Sequence, residues 1–211
     1  MNITERYYIL KPNYKDEQFI DAAMVPNATA EFQPIGYGEI KGYQPLEFVN
    51  CDAEEFRNKR YREIIRDILP ANTSFIVKNG VKQAWEPNNI EGVQFYPAIY
   101  RDINSNIHDF WYLNIINEID CWCREQSTYD RDEYEQEKDD EYYLGADIDQ
   151  YVLDDKLLLS LTEAKRKIFR MGATSANDII IHADILKSIA HLDLYGIQYF
   201  KLSEYTRGME F

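Results

Sequence analysis

The chain is poor in the residues that most often carry chemistry. It has three cysteines and three histidines in 211 residues. An odd set of thiols, Cys51, Cys121 and Cys123, does not suit a secreted disulfide framework. No stretch approaches the roughly 20 apolar residues that a spanning helix needs. The opening "MNITERYYILKPNYKDEQ" carries an acid at Glu5 and no apolar run of signal-peptide length. A cytosolic chain without a membrane segment is expected. Positive charge is scarce as well: 23 Lys and Arg stand against 37 Asp and Glu, a formal net charge of −14. Such a surface repels nucleic-acid phosphates and anionic lipid heads and favours a basic protein partner.

What is present is apolar and aromatic. The hydrophobic fraction of 45% and aromatic fraction of 14% are enough for a packed core and argue against global disorder. The length suits one domain over 1–211, with two similar halves at about 1–105 and 106–211 as a further division. Seventeen tyrosines suit strands and point mildly to binding.

Along the chain, Arg6–Leu10 predicts a strand. Pro26, Pro34, Gly36, Gly38, Gly42 and Pro45 make residues 26–50 a region of turns and short extended pieces. A helix is expected next, capped by Asp52 with Glu55 three residues on. Its stripe runs through Phe56, Tyr61, Ile64, Ile65, Ile68 and Leu69 to a stop at Pro70.

An internal repeat follows. "FIVKNGVKQAWEPNNIEGVQFYP", residues 75–97, lies without a gap over "IIIHADILKSIAHLDLYGIQYFK", residues 179–201, at an offset of 104. Gly92 meets Gly196 and Gln94 meets Gln198, while most other matches are apolar, so the copies share a burial pattern. Each reads as a strand, a short helix, a turn ending in Gly and a second strand. Pro87 should shorten the first helix, whereas Ala183–Leu192 has room to run longer. Between the copies, "FWYLNIINEIDCWC" favours a strand by its β-branched and aromatic content. A strand ending near Leu153, a helical turn from Asp154 and a strand at Lys167–Met171 come next. Alternating strands and short helices predict an α+β fold with mixed sheets and two similar strand-helix-strand units.

The chemical motifs are weak. Cys121 and Cys123 with Cys51 and scattered histidines lack the spacing of a structural zinc site, and buried free thiols are the plainer reading. His182 and His191, nine apart, fall half a turn out of phase on a helix. "DRDEYEQEKDDE" begins like a calcium loop but places Tyr134 at a ligand position and has no Gly at the sixth. No nucleophile elbow, dinucleotide fingerprint or Walker motif occurs. No cofactor, no metal and no catalytic residue is expected. A small hydrolase or transferase using buried carboxylates and His108, or a structural dimer, stands as the alternative.

The strongest candidate is the acidic run. Asp120–Tyr143 holds ten acids against Arg124, Arg131 and Lys138, net −7, half the charge of the chain in 24 residues. Tyrosines are interleaved. Candidate partner-binding residues are Tyr129, Asp130, Asp132, Glu133, Tyr134, Glu135, Glu137, Asp139, Asp140, Glu141 and Tyr142: charge for association rate and rings for anchorage. A solvated loop is the competing description. The break between scaffold and partner surface is expected near Ser127–Asp130.

The segments "IEGVQFYPAIYRD", "FWYLNIINEIDCWCREQSTYD", "KIFRMG" and "GIQYFKL" resemble the immunity proteins of bacterial polymorphic-toxin systems. The chain is most similar to immunity protein family eleven, with family forty-three a near alternative, over about residue 75 to the end. The insertion Asp132–Glu141 is more pronounced than the family pattern. The resemblance implies a cytosolic α+β antidote that binds a cognate toxin domain and occludes its active or substrate-binding site. With the acidity, it implies a basic toxin, and a nuclease would fit.

Overall fold

The computed structural model describes residues 3–16, 18–25, 38–42 and 44–211. Pro26, Pro34 and Gly36 lie outside them. The elements are β1 (Tyr7–Pro12), β2 (Ala22–Met24), β3 (Leu46–Asn50), α1 (Ala53–Lys59), β4 (Ile68–Ala71), β5 (Ser74–Val77), α2 (Asn79–Trp85), β6 (Val93–Arg101), β7 (Ile107–Ile115), β8 (Glu118–Ile119), β9 (Thr128–Tyr129), α3 (Arg131–Glu137), β10 (Ile148–Gln150), α4 (Asp155–Ser160), β11 (Ile168–Met171), β12 (Ile179–His182), α5 (Ala183–Ser188) and β13 (Ile197–Lys201). Mixed sheets with short helices make an α+β fold. No helix among the described residues is long and apolar enough to cross a membrane.

Six strands form one sheet in the order β2-β3-β6-β7-β5-β4, five form another in the order β13-β1-β12-β11-β8, and β9 pairs with β10. The repeated segments fold alike. In the first, β5 and β6 both pair antiparallel with β7, which lies between them. In the second, β12 and β13 flank β1 in the same way. Each unit is thus a split strand-helix-strand whose parallel outer strands hold an antiparallel strand between them. A hairpin partner, β4 or β11, adds on the outside. The central strand comes from just after the first unit but from the start of the chain for the second, so the sheets do not follow a cut at residue 105.

Three apolar clusters explain the strand sequences. Leu10, Phe75, Val77, Val81, Trp85, Leu113, Ile115, Ile179, Ile181 and Ile185 fill the layer between the two sheets, with α2 and α5. The outer faces carry their own clusters, one around Phe48, Tyr100 and Tyr112 and one around Tyr7, Trp122, Phe169 and Ile180. Both faces of β5, β7, β11 and β12 are therefore buried, which is why "SFIV", "IFRM" and "III" show no alternation. Each fully buried side chain contributes about 1.5–3 kcal/mol by leaving water.

Two repeat positions show why the register is kept. Gly92 has φ +75, and a Cβ there would lie 2.5 Å from that of Asn117. Gly196 has ordinary φ, but a Cβ would strike the Ile68 carbonyl oxygen, because this turn packs on edge strand β4. Gln94 holds the backbone of Ile40 through both ends of its amide, and Gln198 donates to the carbonyl of Glu210. Each glutamine ties an outlying segment to its sheet. Arg170, 2% exposed, joins the sheets: Nε donates to the Ile115 carbonyl at 3.2 Å and Nη1 to that of Thr73 at 2.9 Å.

Several expectations change. The helix from Asp52 ends at Lys59. Arg60 turns left-handed (φ 57), Tyr61 N–H donates to the Phe56 carbonyl, and the two rings touch edge-on at 5.8 Å. This cap wins over the apolar stripe, whose later members are extended or in β4. Asp52 flanks the helix without a side-chain cap bond. Pro70 does not stop a helix; it sits in β4 opposite Phe75, on the sheet edge where a missing N–H is tolerated. α5 is no longer than α2, because residues 189–192 tighten into turns with bonds between residues three apart, Ile189 to Leu186 and Leu192 to Ile189.

Candidate functional site

The acidic run is not a loop throughout. Asp130 caps α3 by accepting from Glu133 N–H at 3.0 Å, and Asp132 and Glu133 sit in the first turn, where the helix dipole favours carboxylates. The scaffold beneath begins at Ser127. Its buried hydroxyl accepts from Val152 N–H at 3.0 Å and donates back to the Val152 carbonyl at 3.2 Å.

The tyrosines divide. Tyr129 and Tyr134 turn inward onto buried Trp122, with centroids 4.8 and 5.9 Å away and edge-to-face geometry, and Tyr143 leans on Tyr134. These rings anchor α3 to the scaffold. Tyr142 points out, and with Leu144 it is 83% exposed. Alternating inward and outward tyrosines are indistinguishable in composition; only the position of Trp122 separates them.

The three cations of the run are used internally. Arg124 forks onto the Asp120 carboxylate and lies over Trp122 at 4.0 Å. Arg131 donates to the Glu125 carbonyl and lies over Tyr129. Lys138 pairs with Glu135 at 2.6 Å. Asp132, Glu133, Glu137, Asp139, Asp140 and Glu141 are exposed, and none of them makes an ion pair among the described residues. Glu133, Glu137, Asp140, Tyr142 and Leu144 line a groove of about 440 Å³. Asp147 also lines it, held by Ser175 and Arg207, whose hydrogen bonds keep its carboxyl below the usual range. The arrangement is a strip of uncompensated negative charge beside an exposed ring and an exposed leucine.

The thiols and imidazoles lie apart. Among the described residues, no group of three His, Cys, Asp or Glu could hold a metal ion. Cys121 is buried against Met171, Cys123 is half-buried and Cys51 is exposed, so only one of the three fits the reading of buried thiols. Desolvation and the carboxylates of Asp21 and Asp52 push the Cys51 thiol up to about 12, far from nucleophilic. His108 pairs with Asp102 at 3.2 Å. That carboxylate also accepts from the backbone of Asn104 and Asn106, closing the β6–β7 turn. Burial pushes Asp102 up, and the bonds from Asn106, His108 and Asn104 outweigh it and hold the carboxyl below its ordinary value. His191 is exposed. His182 lines a second cavity with Arg6, Arg166 and Lys167, residues no motif singled out, although "KRK" at 165–167 is a conspicuous basic run in so acidic a chain.

No curated protein matches the chain. A family model described as an immunity protein family (Imm11) matches residues 6–204, which takes in β1 through β13 and both repeated units. With nearly the whole fold inside that match, the chain belongs to the Imm11 immunity protein family.

Proposed function

We propose that this chain protects its host by stoichiometric binding of a cognate toxin domain, without catalysis of its own, and that it occludes the toxin's active or substrate-binding cleft. The single observation that carries the surface assignment is the α3 strip: six exposed carboxylates that make no ion pair among the described residues, beside exposed Tyr142 and Leu144. Charge of one sign steers a basic partner and raises the association rate, while the ring and leucine supply apolar contact at the centre. The groove suits Lys or Arg side chains, whose stems lie along Tyr142 and Leu144 and whose heads reach Glu133, Glu137 and Asp140. A toxin that acts on a polyanion, such as a nuclease, presents such a cleft, and the acidic strip then occupies the place of its substrate.

Co-expression with the toxin gene adjacent to this one tests the reading. Rescue of growth and a co-purifying complex are expected; neither rescue nor complex would sink it. The surface is tested separately by changing Asp132, Glu135, Asp139 and Asp140 together to Asn or Gln. The association rate at low salt should fall by about tenfold or more, and its salt dependence should flatten. Unchanged rate and salt slope would place the interface elsewhere while leaving toxin binding intact.

A further inference from the structure

The cavity beside His182 shares no lining residue with the α3 groove. It measures about 260 Å³ and is walled by side chains from the start of the chain, from α4, from the 163–167 segment and from the end of β12. In a protein of net charge −14 it gathers Arg6, Arg166, Lys167 and His182.

The partners of these groups decide what the cavity can take. Lys167 Nζ donates to the Asn88 carbonyl at 2.6 Å and stands 3.7 Å from Glu163. Arg6 leans on Asp184 at 3.8 Å. Arg166, half-buried, has no ion pair or side-chain hydrogen bond among the described residues. The His182 ring, its side chain 12% exposed, accepts from Asp184 N–H through Nδ1 at 3.3 Å as the cap of α5. While Nδ1 accepts this bond, the neutral ring carries its proton on Nε2; the same Nδ1 stands 3.4 Å from the Asp184 carboxylate. Two donors, the Arg166 guanidinium and His182 Nε2–H, have no acceptor among the described residues. Ile3, Tyr7 and Leu159 provide an apolar wall beside them.

We propose that this cavity binds a small organic sulfate or phosphate monoester, with the oxyanion on Arg166 and His182 and the organic group against Ile3 and Leu159. The planar guanidinium suits two oxygens of one headgroup. The volume is several times the ~30 Å³ share of one water, so a bare oxyanion leaves room that an organic group fills. Asp155 and Glu163 on the lining oppose a second charged group and select against polyphosphates.

Binding is linked to pH through His182. Burial, then the Arg6 charge and, beyond Asp184, that of Arg166, hold the free imidazole below its ordinary value, against the pull of Asp184 and Glu163. An oxyanion in contact with the ring favours the imidazolium, so a proton is taken up with the ligand and affinity rises as pH falls. The charged groups around the ring are Arg6, Arg166, Lys167, Asp155 and Glu163 on the cavity wall and Asp184 at the start of α5.

Phenyl sulfate and inorganic sulfate are suitable probes for the full chain, because neither titrates near neutrality. In calorimetric or NMR titrations, saturable binding is expected, with phenyl sulfate the tighter by several-fold. Arg166→Gln should weaken phenyl sulfate by about tenfold or more, Arg166→Lys by less, and the exposed Lys187→Gln not at all. Wild-type affinity should rise several-fold between pH of about 7.5 and 5.5, and that rise should vanish in His182→Gln. Circular dichroism confirms that the variants are folded. No saturable binding of either probe, or folded Arg166→Gln binding as wild type, overturns the site; a pH rise that survives in His182→Gln overturns the oxyanion's contact with the ring. None of these outcomes bears on toxin binding.

Discussion

Lys78 and His182 occupy the same place in the two strand-helix-strand units, 104 residues apart, and the backbone treats them alike. Each is the first flanking residue of its helix, with φ −73 and ψ 164 at Lys78 and φ −72 and ψ 145 at His182. Their side chains go to opposite uses. Lys78 Nζ donates to the Ile65 carbonyl at 2.9 Å and pairs with Asp67 at 3.1 Å, so the position is closed off by its own surroundings. His182 faces a cavity in which Arg166 makes no ion pair among the described residues. The shared backbone belongs to the scaffold, and the difference marks where one unit is specialised. The acidic α3 strip also packs on the apolar cluster of the second unit, so both candidate surfaces are built on the same copy.

The largest effects should come from breaking what the units share. Gly196→Ala forces a Cβ against the Ile68 backbone, which cannot move without displacing β4, and should cost about 2–3 kcal/mol in urea unfolding. Gly92→Ala should cost somewhat less, about 1–2 kcal/mol, from left-handed strain and the crowding of Asn117. If Gly196→Ala stays within about 0.5 kcal/mol of wild type, the close approach of the second unit to β4 is not part of its stability. A smaller effect follows from opening the closed position. Lys78→Met should cost about 1 kcal/mol through the lost bond to the Ile65 carbonyl. The Asp67 pair adds little because both groups are partly exposed. A loss near zero would mean that the closed position is merely filled, and the contrast with His182 would weaken.

The repeat was legible because its matches fall on buried positions, where packing restricts the residue type. The register of Gly92 with Gly196 and Gln94 with Gln198 carried real constraints, though the two glycines meet them for different physical reasons. The helix over 52–69 misled because Phe56, Tyr61 and Ile65 look like one helical stripe. They pack on one cluster across a left-handed turn at Arg60, which no residue preference announces. The acidic strip could be found by counting charge. Which tyrosines face out could not, since Tyr134 and Tyr142 differ only in their distance from Trp122. The His182 cavity is not legible in the sequence because it is assembled from a short 3-10 turn and the start of β1 at residues 3–7, from α4 and the turns after it at 155–167, and from the end of β12 at 182, and only folding brings them together.

The smallest expected effect bears most directly on the comparison. His182 has its folded-state pKa held below the unfolded value, by burial first and by Arg6 next. The unfolded chain therefore binds the proton more readily. The stability associated with the neutral ring is present above the unfolded value of about 6.5 and is lost as pH falls through the lower folded-state value. His182→Gln removes the titrating group while leaving an acceptor near Asp184 N–H. At pH of about 7.5 the variant should be slightly the less stable, from a weaker helix cap, and at pH of about 5.5 the difference should shrink or reverse. Urea unfolding at both pH values, in buffers free of sulfate and phosphate, reads the change. Adding sulfate at the lower pH should then stabilise the wild type more than the variant, since only the wild type offers an imidazolium to the oxyanion. A pH-independent difference would mean that His182 is as closed off as Lys78, and that the two units are alike in chemistry as well as in backbone.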